Sequence, residues 1–143
     1  MIIKTKDFGN VEICEEDIVK FPHGLYGFED SKEFVVLSDN KEDNPFMWLQ
    51  SVRNIEPRFV VIDPMKIFKN YYVPPEAARP LIPIDDERDL RFLAITTVTS
   101  GAKEVYVNLK CPIVINAREN IAAQVILDID DYPFRYYLVK REG

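Results

Sequence analysis

Residues Leu90–Leu127, LRFLAITTVTSGAKEVYVNLKCPIVINARENIAAQVIL, decide the fold class. Their β-branched and aromatic residues gather in short runs, Leu90 to Thr99, Glu104 to Leu109, Ile113 to Asn116 and Ala123 onward to Ile129, which read as strands. The breaks between runs have a mechanism: Ser100-Gly101 tolerates positive φ, and Cys111-Pro112 removes a ladder donor. The alternation predicts one continuous meander after residue 90.

Working outward, the same cadence fills the rest of the chain. Met1 to Thr5, Val11 to Cys14, Ile18 to Phe21, Glu33 to Leu37, Phe46 to Val52, Arg58 to Ile62 and Phe134 to Val139 are further candidate strands, punctuated by Gly9-Asn10, Asn44-Pro45 and Asp63-Pro64. Ten prolines leave few windows for a helix, so only Met65 to Tyr71 and Pro75 to Arg79 are expected to form short ones. Pro74-Pro75, Pro80 and Pro83 bracket a surface excursion that ends in Asp85, Asp86, Glu87 and Asp89. Many strands in a short chain have edges to hide. The expectation is an all-β, single-domain, antiparallel barrel-like fold over residues 1–143, with one or two short helices.

A length of 143 residues is enough for one sizeable core without disulfides or metals. Hydrophobic residues at 47% against 29% charged place the chain among globular rather than disordered sequences. MIIKTKDFGNVEIC carries no basic segment followed by an apolar run, and no stretch approaches the ~18 apolar residues of a membrane helix, so a cytoplasmic protein is expected. A net charge of −6 and a pI near 4.9 repel phosphates, which argues against direct nucleic acid binding and favours basic partners. In a reducing compartment Cys14 and Cys111 read as free thiols filling the core.

Catalytic signals are absent from the sequence. His23 is the lone histidine, which removes multi-histidine metal sites. Asp128, Asp130 and Asp131 invite a calcium loop, but counting from Asp128 puts Pro133 where the loop needs glycine and Val139 where it needs glutamate. No serine stands in a G-x-S-x-G elbow, and Gly24-Leu25-Tyr26-Gly27 is neither a P-loop nor a dinucleotide fingerprint. That segment matches a bare GXXG, yet it lies among apolar residues instead of between two helices. A Cys–His thiolate pair lacks a third orienting residue. The reading is a non-enzymatic protein without metal or cofactor.

FPHGLYGFED (Phe21 to Asp30), PFMWLQS (Pro45 to Ser51), RFVVIDP (Arg58 to Pro64) and VNLKCPIVINARENIAAQVIL (Val107 to Leu127) appear in an order that resembles the FliW family pattern. The likeness covers about residues 2 to 136. Two departures stand out: Cys111 replaces the family's usual alanine, and VPPEAARPLIPIDD (Val73 to Asp86) is unusually rich in proline.

The resemblance implies a cytoplasmic flagellar assembly regulator, monomeric when free. It would bind flagellin and the RNA-binding translational regulator CsrA in a partner switch, so that antagonising CsrA relieves repression of flagellin translation. A flagellin-specific chaperone without regulator binding is the alternative. Motif position and charge nominate Phe28, Glu29, Trp48, Asp85, Asp86, Glu87, Asn108, Asn116, Asp128 and Asp130 as partner contacts. The bottom-up reading of the same segments is scaffold. Gly24 and Gly27 suit a tight loop, with Phe21, Leu25 and Phe28 folding back beneath it. Trp48 reads as a core aromatic, Asn108 and Asn116 as turn residues, and Gln124 as a bridge between strands.

Overall fold

A computed structural model describes residues 1–140. The strands are β1 (Ile2–Thr5), β2 (Gly9–Glu12), β3 (Val19–Lys20), β4 (Glu33–Leu37), β5 (Phe46–Ser51), β6 (Arg58–Ile62), β7 (Leu90–Val98), β8 (Val105–Val107), β9 (Ile113–Asn116), β10 (Ile121–Gln124) and β11 (Tyr136–Val139). β1 and β2 form a separate hairpin. The others make one sheet in the order β11-β8-β7-β6-β5-β4-β3-β10-β9, and β9 pairs back onto β7. Strands β3, β4, β5, β6, β7, β9 and β10 therefore close a ring, which removes their edges.

Closure depends on β7, the longest strand. Its first half, Leu90 to Leu93, pairs with β9, while Thr96 to Val98 pairs with β8. From Thr96↔Val107 to Leu93↔Ile113, β7 moves three residues and its partner six. β8 and β9 thus behave as one long strand interrupted by a bulge at Asn108–Pro112. Asn108 Oδ1 holds the bulge by accepting from the Lys110 and Cys111 amides at 3.1 and 3.0 Å. Tyr71 OH donates to the Leu109 carbonyl at 2.6 Å, and the Leu109 amide donates to Pro133 O. Beyond the bulge, β8 leaves the ring and pairs with β11 as a projecting wing.

Apolar residues point both ways from the ring. Phe21, Leu25, Phe34, Leu49, Val61, Leu93, Ile113, Ile115 and Ala122 pack inside. Outside, Ile62, Leu90, Ala94, Val107, Val114 and Ala123 are covered by Tyr71, Val73, Ala78 and Ile82 of the proline-rich excursion and by Leu127 and Tyr132. A second outer patch around Val35 lies under Ile3, Ile13 and Ile18. Burial on both faces explains why FVVI and IVI are continuous apolar runs where a half-exposed strand would alternate. Each such side chain fully buried stabilises the fold by about 1.5–3 kcal/mol.

The short helices expected within residues 65–71 and 75–79 are present as single 3-10 turns, at Pro64–Lys66 and Pro75–Ala77. Single turns suffice because Tyr71, Val73 and Ala78 seat on the barrel wall and fix the path by packing. Other expectations need correction. The segment after residue 90 is not one meander, because β10 runs back to β3 in a parallel contact, Ile121↔Lys20, in an otherwise antiparallel ring. β10 also ends at Gln124, short of the expected Ile129: the Val125 and Leu127 amides donate to Pro112 O and Lys110 O in the bulge and leave the ladder. Cys14 is exposed, whereas Cys111 is buried as expected. Trp48 is only half-buried, facing outward from β5 with its ring 5.1 Å from Phe8.

Candidate functional site

The FPHGLYGFED segment crosses one mouth of the barrel and is locked there at both backbone and side-chain level. Gly24 N–H donates to Phe21 O at 2.9 Å, and Phe28 N–H donates to Leu25 O at 2.8 Å, closing a turn with Tyr26 and Gly27 at its tip. The Tyr26 amide donates to Gln124 Oε1 at 2.9 Å while Gln124 Nε2 donates to Cys111 O at 3.2 Å, so one buried amide side chain ties the loop to the bulge. Gly24 is required twice over. Its φ is +66°, and a Cβ there would fall 2.5 Å from the Cα and carbonyl oxygen of Glu29. Gly27, at φ +84°, meets no atom within 4 Å.

Phe21 and Leu25 are buried beneath the loop, but Phe28 is not: it is 43% exposed and leans edge-on against Phe59 with centroids 5.2 Å apart. Phe59 contacts Phe34, which packs edge-on against Phe21. This column of rings runs from surface to interior and holds Phe28 without hiding it. Tyr26 is 52% exposed beside it. Glu29 accepts from the Gly27 amide at 3.2 Å and, with Asp30, adds carboxylates to the rim. Tyr26 and Phe28 thus stand exposed side by side, bordered by the Glu29 and Asp30 carboxylates, and are residue types enriched at protein-contact surfaces.

The other nominated residues scatter over the barrel. Trp48 lies on the outer face of β5. Asp85, Asp86 and Glu87 end the excursion, and Asn116 sits with them because its Nδ2 donates to Pro83 O at 3.0 Å. Asp86 caps the turn at Glu87–Asp89 and forks onto Arg88, whose hydrogen bonds hold the Asp86 carboxyl below its usual range. Glu87 stands 3.9 Å from Arg79. Asn108 is absorbed in the bulge, and Asp128 and Asp130 are exposed on the turn after β10. Both asparagines spend their side chains on backbone groups, the role the scaffold reading gave them. Sequence reasoning missed Tyr26. Its signal was the pair of glycines bracketing Leu25-Tyr26, which forces a tip residue outward.

A recess of about 410 Å³ beside Phe21 contains Lys20, Lys32, Glu33 and Arg53, but Arg53 pairs with Glu33 at 2.6 Å and Lys32 Nζ donates to Pro22 O. Burial pushes the Cys111 thiol up, the wrong direction for a nucleophile. Among the described residues no three histidine, cysteine or carboxylate side chains cluster as metal ligands, and no helix is long and apolar enough to cross a membrane.

Comparison with known proteins adds an independent line. The family described as "FliW: FliW protein" matches residues 2–138. The flagellar assembly factor FliW of Ruminiclostridium cellulolyticum is 37% identical over 140 residues, spanning 97% of this chain and 95% of the relative. That of Thermoanaerobacter pseudethanolicus is 38% identical over 141 residues, spanning 98% and 94%. A crystal structure of the flagellar assembly factor FliW superposes with a TM-score of 0.85 at 37% identity, over 96% of both chains. Agreement over nearly the whole chain, in both sequence and backbone, means that this chain belongs to the FliW family.

Proposed function

We propose that this chain is a cytoplasmic regulator of flagellar assembly that binds flagellin and CsrA alternately, antagonising CsrA when flagellin is scarce and releasing it when flagellin accumulates. The observation that carries the reading is the full-length similarity to proteins named flagellar assembly factor. The physical support is the exposed Tyr26–Phe28 knuckle, which has the make-up of a contact surface and no convergent polar groups for catalysis. Phe28 and Glu29 are the proposed contacts with the best-defined geometry. The exposed carboxylates of Asp85, Asp128 and Asp130 suit long-range attraction of a basic, RNA-binding partner.

A flagellin-specific chaperone that ignores CsrA is the second reading. One observation favours it: among the described residues the outer edge of β11 has no partner strand, and such an edge can hold an extended segment.

Calorimetric titration of the purified chain with CsrA, with monomeric flagellin, and with flagellin added to the preformed CsrA complex separates these readings. Binding to both with displacement is the expected result. Binding to flagellin alone selects the chaperone, and binding to neither overturns both.

A further inference from the structure

The wing formed by the end of β7, β8 and β11 is the one place where the large sheet ends in an open edge among the described residues. Both faces are uncovered near its tip. On one face Val98, Val105 and Val139 stand in register across the three strands, with Val98 and Val139 about half exposed. On the other, the Tyr106 and Tyr137 rings meet at a tilt with centroids 5.4 Å apart, with Arg135 Cζ 4.9 Å from the Tyr106 ring and Lys140 Nζ 5.3 Å from that of Tyr137. Between Lys103 and Lys110, and between Phe134 and Lys140, the side-chain charges are Lys103, Lys110, Arg135 and Lys140 against Glu104 alone. A basic wing on a chain of net charge −6 is a local inversion.

We infer that the open edge of β11 is a strand-addition site for an extended, acidic segment of a partner polypeptide. The inference rests on the reading of this chain as a partner-binding protein. An added strand would place alternate side chains on opposite faces: carboxylates over the tyrosine face beside Arg135 and Lys140, and β-branched residues against the valine row. The same charges disfavour a second copy as the occupant. Antiparallel pairing of two β11 strands about their centres sets Arg135 of one copy opposite Lys140 of the other on both sides of the dyad, and directly opposed like charges are destabilising. The register shift between Tyr137 and Val139 further spoils self-pairing. An acidic strand meets no such repulsion.

The test uses the full-length chain and a blocked peptide alternating glutamate with valine, beside its lysine-for-glutamate counterpart and a version N-methylated at one central amide. Backbone NMR follows the Tyr136–Val139 amides. The glutamate peptide should bind about tenfold or more tightly than the lysine peptide, and N-methylation should cost about tenfold, because opposite-charge pairs and a ladder hydrogen bond are both lost. R135E/K140E, a surface change, should reverse the charge preference. No binding, equal binding of both charges, undiminished binding after N-methylation, or shifts centred away from β11 would each overturn the site. Protection of these amides that rises with protein concentration alone would overturn the case against a second copy. The peptide readout involves neither CsrA nor flagellin, so this site and the proposed function fail separately.

Discussion

Replacing Gly24 by alanine should weaken the fold by about 2–5 kcal/mol, the sum of two separable costs. A left-handed φ of +66° costs a residue with a Cβ about 1–2 kcal/mol. The Cβ would also sit 2.5 Å from the Glu29 Cα and carbonyl oxygen, backbone atoms that cannot swing away, and forced overpacking of this kind adds about 1–3 kcal/mol. Gly27→Ala is the internal control, since its φ of +84° carries the first cost while no atom lies within 4 Å. Urea titrations of both variants should therefore differ by the steric part alone, with Gly24→Ala the less stable. At about 3–4 °C per kcal/mol for a domain of this size, the gap should show in thermal melts as well. If the clash moves the Glu29 backbone, the Tyr26–Gln124 bond lengthens and binding through Phe28 drops along with stability. Equal destabilisation of the two variants would refute the claim that the Gly24–Glu29 approach shapes the loop.

Other consequences can be checked directly. Gln124→Ala should cost about 1–3 kcal/mol by leaving the Tyr26 amide and Cys111 carbonyl without their partner, read from urea midpoints, and should raise hydrogen exchange at Tyr26 above that of its neighbours. Tyr71→Phe should cost about 1–2 kcal/mol in the same assay, since only the buried bond to Leu109 O is lost while the ring packing persists. A maleimide reagent should modify Cys14 in the native protein and reach Cys111 only on unfolding, because the second thiol is buried and its pKa is pushed up. The Asp86 carboxyl is held below its ordinary 3.8 by hydrogen bonds from Arg88, so its contribution is present above that pH and is lost as pH falls through the lower folded value. Asp86→Asn should lower stability across the neutral region, where the carboxylate contributes, and flatten the acid limb below about pH 4, so that the variant and parent curves converge at low pH.

Strand positions were legible because turn chemistry and β-branched runs act locally: Gly101 at φ +70° and the strands β4, β6 and β9 fall where the residues put them. The GXXG loop could be read as tight, yet not as crossing a barrel mouth, since the partner that locks it, Gln124, lies 98 residues away. Exposure was harder still. Phe28 and Phe21 are the same residue type in the same segment, yet Phe21 is enclosed in the barrel while Phe28 rests against Phe59 of β6 and stays 43% exposed. Cys14 and Cys111 differ for a similar reason: nothing covers the first, while the bulge folds the second inward.

From sequence alone came the all-β class, the strand cadence, the acidic charge and the motifs of the family, all of them properties of residues within a few positions of one another. Tertiary structure alone decided that β7 splits its pairing between β8 and β9, that β10 closes the ring through a parallel contact with β3, and that β11 is left with an open edge in a basic wing. Those outcomes depend on which distant strands share an edge, and residues far apart in the chain settle that only when the barrel closes around its core.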